Sequence, residues 1–121
     1  MRKLIATTLL AAALTAPALA ATYPVSGRWG ESSSSEKGAI DCSDRRVIAF
    51  DGNQRSDTNG GVPSYRNVSV TADGASSYRI IDTFANALMS NAHTEYTLTK
   101  IDDDHIVLDM SGSTLKLQRC E

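Results

Sequence analysis

The chain has few of the groups that most catalysis and metal binding require. Its 121 residues hold two histidines, two cysteines and one tryptophan. Neither G-x-S-x-G nor H-E-x-x-H occurs, and the many serines sit in loop-like stretches, so no nucleophile or zinc-peptidase signature is present. The two cysteines are not in C-x-x-C proximity and have no histidine beside them, which argues against a redox or metal pair. Gly60-Gly61 has neither the lysine nor the following helix of a phosphate-binding loop. These gaps predict a non-enzymatic protein with no cofactor and no bound metal. Long amphipathic helical patterns are missing too, and past the N-terminus no apolar run approaches transmembrane length.

The N-terminus reads as a targeting segment. Arg2 and Lys3 form a short basic start, Leu4 to Ala16 is apolar or small, Pro17 interrupts it, and Ala18-Leu19-Ala20 offers small residues for cleavage. Residues 1–20 are therefore expected to be a secretory signal of bacterial type, and 21–121 a single domain that is periplasmic or secreted. Removing 20 residues and two positive charges from the 121 residues and 12 basic side chains leaves 101 residues with 10 basic and 14 acidic groups, a net charge of −4. A mildly acidic surface argues against nucleic acid as a partner and against a basic membrane-binding patch. In an exported chain, Cys42 and Cys120 are most simply one disulfide, which closes a long loop and stabilises the fold by about 4 kcal/mol on the chain-entropy model.

What the chain does have is short alternating β-runs. Tyr96 and Leu98 alternate with Thr97 and Thr99; Ile106, Leu108 and Met110 with Val107 and Asp109; Leu115 and Leu117 with Lys116 and Gln118. Such alternation puts an apolar row on one face of a strand. Asp102-Asp103-Asp104 and Ser111-Gly112-Ser113 supply the reversals. Earlier runs start at Gly27, then cover Arg45 to Phe50, Tyr65 to Thr71 (Val68 and Val70 on one side, Asn67 on the other) and Tyr78 to Phe84, where Asp82 breaks the apolar face. Ala72-Asp73-Gly74 reads as a hairpin turn. Ala85 to Ala92 reads as a helical turn or a wide loop. About seven strands at intervals of roughly ten residues predict an all-β, antiparallel meander sandwich or barrel.

The two ends of the chain carry a more specific signal. Gly27-x-Trp29 at the start of the first strand resembles the G-x-W signature of the calycins, the superfamily that includes lipocalins. That resemblance implies a small antiparallel barrel of seven to eight strands whose last strand places Arg119 over Trp29 to close one end. A guanidinium over an indole is favourable by roughly 0.5–2 kcal/mol. With only 101 residues, the seven aromatics and the leucine and isoleucine set are enough to fill much of such a barrel. The length and the G-x-W opening also resemble bacterial metalloprotease inhibitors of this barrel type, which implies that Ala21 to Ser26 enters a protease cleft.

Candidate sites follow. Asp102-Asp103-Asp104-His105 reads as a solvated turn rather than a metal site, because consecutive strand-end residues cannot all converge on one ion. His93 and His105 read as two surface residues, with a neighbouring pair across a hairpin as the alternative. Ser32 to Ser35 reads as a loop, with a lid over the barrel mouth as the alternative. The long loop from Asn53 to Ser64, with Asn53, Asp57, Asn59, Val62 and Tyr65 as contact residues, and the Glu31 to Gly38 loop together form the expected binding end. The expected partner is a protein or a small apolar ligand; the alternative function is protease inhibition through the N-terminal segment.

Overall fold

The fold is known from a computed structural model, which describes residues 21–85 and 92–121. The expected signal segment, 1–20, and residues 86–91 of the Ala85 to Ala92 stretch lie outside the described residues. The described chain is all-β, with no helix. Eight antiparallel strands follow one another in meander order and close into a barrel: β1 (Gly27–Glu31), β2 (Val47–Asp51), β3 (Gln54–Asp57), β4 (Tyr65–Ala72), β5 (Ser77–Phe84), β6 (Ala92–Lys100), β7 (His105–Met110) and β8 (Ser113–Arg119). β8 pairs back onto β1, with Trp29 opposite Arg119 and Glu31 opposite Leu117. Connections alternate between the two ends. The β2–β3, β4–β5 and β6–β7 turns share one end, here called lower, with residues 21–26 and the C-terminus; the others leave from the upper end.

Alternation decides which side chains face inward. Ile106, Leu108, Leu115 and Leu117 are buried against Trp29, Ile48, Phe50, Ile80, Tyr96 and Leu98, while Lys116 and Asp109 stay exposed. The core is therefore built from the chain's own side chains, and burial of apolar area is its main stabilising term.

Two strands differ from the sequence reading. Gln54–Asp57, read as part of a long loop, is β3. It pairs with β2 from Asp51↔Gln54 to Ile48↔Asp57 across a two-residue turn whose first position, Gly52, has φ 62°. Glycine supplies that positive φ at no steric cost. The strand is polar because its inward position carries Arg55 rather than an apolar residue. In β4 a bulge between Asn67 and Ser69 shifts the register, so Val68 is half exposed and Asn67 turns into the core. An extra residue in one strand reverses the inside–outside phase beyond it.

The β1–β2 connection is not a lid. Instead of crossing the mouth, it descends along the outside of β8. The Ser32 amide donates to Lys116 O at 3.0 Å, Gln118 Nε2 donates to Glu36 O and Gly38 O at 2.9 and 3.0 Å, and the Ile40 amide donates to Arg119 O at 2.8 Å. The disulfide Cys42–Cys120, with Cα atoms 5.6 Å apart, fastens this strap to the end of β8. The strap then returns along β1, where Gly30 leaves it room: a Cβ there would lie 2.5 Å from Cys42 Sγ.

Candidate functional site

Three places gather polar chemistry. The first is inside the barrel. Asp82 is 0% exposed and Arg55 2% exposed. Asp82 Oδ2 accepts from Arg55 Nε at 2.8 Å and from Tyr96 Oη at 3.0 Å, and Oδ1 accepts from Asn67 Nδ2 at 3.1 Å. The Arg55 guanidinium also lies 3.8 Å from the Tyr65 ring centroid, and Tyr65 packs on Phe84 at 5.3 Å. The carboxylate is saturated by three donors, as a buried charge requires. This is a structural knot: the two charges are engaged with each other and with Tyr96 and Asn67, although Asn67 Oδ1 is left without a partner among the described residues.

The knot sets a pH dependence. Burial pushes the Tyr96 phenol well above its ordinary range; the Arg55 charge opposes this and the Asp82 charge adds to it. Burial, followed by Asp82, does the same to Tyr23. An unfolded tyrosine ionises near 10, so above that pH the unfolded chain releases protons that the barrel retains. Stability from these groups is complete below about pH 10 and declines as pH rises beyond it. In a spectrophotometric titration, Tyr23 and Tyr96 should yield phenolate absorbance only as the barrel unfolds. Ionisation of all four tyrosines with the fold intact is the contrary result.

The second place is the lower end. Residues 21–26 form a plug: Tyr23 and Val25 are buried, the Tyr23 amide donates to Gly52 O at 3.0 Å, and its ring meets Phe50 edge-on at 4.9 Å. The structure brings Trp29 and Arg119 together there. Arg119 Cζ is 4.6 Å from the indole centroid, its Nη2 donates to Asp103 O at 2.7 Å, and Trp29 Nε1 donates to Ser26 O at 3.1 Å. The acidic turn is engaged in structural bonds as well. Asp104 Oδ2 accepts from the Gly38 amide at 2.9 Å, and Asp102 Oδ1 from the Asp104 amide at 2.8 Å.

The third place is a cleft of about 270 Å³ between the strap and the outer face of the β6–β7 corner and β8. Ser32 to Ser35 form one wall; Ile101, Val107, Leu117, Lys116, Asp102 and His105 form the other. His105 is not a surface residue: it is 9% exposed, because the strap covers the outer face of β7. Its Nδ1 lies 2.8 Å from Asp102 Oδ1, and its Nε2 is buried with no hydrogen-bond partner among the described residues. The hydrogen bond from His105, then that from the Asp104 amide, holds the Asp102 carboxyl below its usual range. The two histidines are not neighbours. His93 pairs with Thr83 near the upper end of β6 and His105 begins β7 at the lower end, so the antiparallel register separates them by the length of the hairpin.

The expected contact residues of the Asn53 to Ser64 stretch do not form one surface. Asn53 lies in the lower β2–β3 turn, where its carbonyl accepts from the Asn67 amide at 2.8 Å. Asp57 is at the upper rim, in a two-bond ion pair with Arg46 at 3.0 and 2.7 Å. Asn59 and Val62 lie in the upper β3–β4 connection, and Tyr65 packs on Arg55. The Glu31 to Gly38 loop lines the outer cleft instead of joining them. Sequence reasoning missed Arg55, Lys116 and the buried His105. The one signal available was Asp82, a charge interrupting an apolar face, which calls for a buried partner. Compared with protein-family models, curated proteins and solved structures, the chain matches none of them.

Proposed function

We propose that the chain is an exported, calycin-type barrel that acts as a non-enzymatic binding module, and that its ligand engages the outer cleft beneath the serine strap. One observation carries this reading. The barrel interior is filled by Trp29, Phe50, Ile80, Leu98 and their neighbours, whereas the cleft outside β7 and β8 offers about 270 Å³ between a polar wall and an apolar one. Pockets that bind small molecules combine mainly apolar walls with a few placed polar groups. The disulfide supports export to an oxidising compartment. The separated histidines and the structurally engaged acidic turn support a non-catalytic role. The alternative, protease inhibition through Ala21 to Ser26, requires Tyr23 and Val25 to leave the barrel base, where both are buried, so no observation favours it.

The test is a titration of the folded protein with a panel of small apolar fragments, read by amide NMR shifts and by emission from Trp29, the single tryptophan. The expected result is shifts grouped on Ser32 to Ser35, Ile101 and Val107, with Trp29 emission unchanged. Quenched Trp29 with shifts at Ile80 and Leu98 would move the ligand into the interior and reject the cleft.

A further inference from the structure

The geometry points to a ligand class for this cleft: a small, uncharged, largely apolar molecule carrying one hydroxyl or N–H, phenol-like or alkanol-like, whose donor hydrogen bonds to His105 Nε2. The inference rests on the outer cleft being the binding face. Asp102 is an ionised carboxylate and only accepts, so the proton of the 2.8 Å bond belongs to His105 Nδ1. In the neutral ring this fixes the tautomer and leaves Nε2 as a bare acceptor. That acceptor is buried and unpartnered. Two amides of the strap are already engaged elsewhere: the Ser34 amide donates to Ser32 Oγ at 3.2 Å and the Glu36 amide to Ser34 Oγ at 3.1 Å. A buried acceptor without a donor is costly, and a ligand that brings one gains what the folded chain lacks.

The remaining walls suit an apolar body. Ile101 is 60% exposed at the cleft, and Val107, on the outer face of β7, continues the same wall. The strap residues that cover this cleft, Ser33, Ser34 and Ser35, are exposed, and the two bonds above tie them only to one another and to Ser32 and Glu36.

The experiment compares three probes of one body: phenol, anisole and benzoate. Each is titrated into the intact disulfide-bonded protein, with amide shifts and the His105 imidazole nitrogens followed by NMR. Phenol should produce saturable shifts on Ser32 to Ser35, Ile101 and Val107 and should move the Nε2 resonance in the direction of an acceptor gaining a hydrogen bond. Anisole, with no donor, should bind roughly tenfold more weakly or worse, and benzoate no more tightly than anisole. Equal binding of phenol and anisole at the cleft keeps the binding face but overturns the donor requirement. Tighter binding of benzoate overturns the ligand class. No cleft shift with any probe rejects the binding face itself. In a His105→Leu variant the preference for phenol over anisole should vanish; if that variant does not fold, the Nε2 resonance of the unaltered protein decides the question.

Discussion

Replacing Asp82 by alanine should destabilise the barrel by roughly 3–5 kcal/mol, the usual loss when one partner of a buried ion pair is removed. The magnitude follows from what stays behind. Arg55 is 2% exposed and its Nε donates to Asp82 Oδ2 at 2.8 Å. Without the carboxylate, a guanidinium charge remains in the interior without a counter-ion, against the Tyr65 and Tyr96 rings at 3.8 and 5.0 Å. Tyr96 Oη loses its acceptor in the same step, and Asn67 Nδ2 keeps only the Ser69 and Ile81 carbonyls. A domain of this size has about 5–15 kcal/mol in total, so a large fraction of the stability is at stake. Urea unfolding followed by Trp29 fluorescence measures it. The double replacement Asp82→Leu with Arg55→Met should recover much of the loss, since removing both charges of a buried pair is often neutral. A single-variant loss below about 1 kcal/mol would show that water reaches Arg55 and that the knot is not dry.

Removing the disulfide should have a comparable effect. Cys42 and Cys120 are 78 residues apart in sequence, and opening a loop of that length costs about 4 kcal/mol on the chain-entropy model. For a chain of about 100 residues each kcal/mol corresponds to roughly 4–8 °C of melting temperature. The Cys42→Ser, Cys120→Ser variant should therefore melt tens of degrees lower, and reductant should act similarly on the unaltered protein. The same change frees the lower part of the strap, leaving Gly38 held by the Asp104 and Gln118 side chains and Ile40 by backbone bonds. A drop of only a few degrees would show that those bonds hold the strap without the covalent link.

Much of the wall was legible from sequence, and little of its decoration. β7 and β8 are plain because one face is leucine and isoleucine and the other is lysine, glutamine and aspartate; period two is strong there. β3 was illegible because Gln54, Arg55, Ser56 and Asp57 contain no apolar residue, and the inward position is stabilised by a partner 27 residues away that no local pattern reveals. The bulge in β4 was hidden for a related reason: Val68 and Val70 look in phase until the partner strand fixes the register. The strap was misplaced because its serines have no periodicity. What positions it is Gln118, whose outward side chain reads as a solvated residue until the backbone it binds is known. His105 was underestimated for the same reason, since its burial comes from the strap and not from its own strand.

The closing seam between β1 and β8 has a kinetic consequence. The other strand pairings join neighbours in sequence, so each forms as a hairpin, whereas the last must find a strand at the opposite end of the chain. That search is a diffusive step whose entropy grows with the intervening length. An oxidised chain emerging from denaturant already has Cys120, beside the final strand, tethered near the segment that leads into the second. Its refolding should consequently outpace that of the reduced chain, and the gap between the two rates should measure how late the seam is sealed.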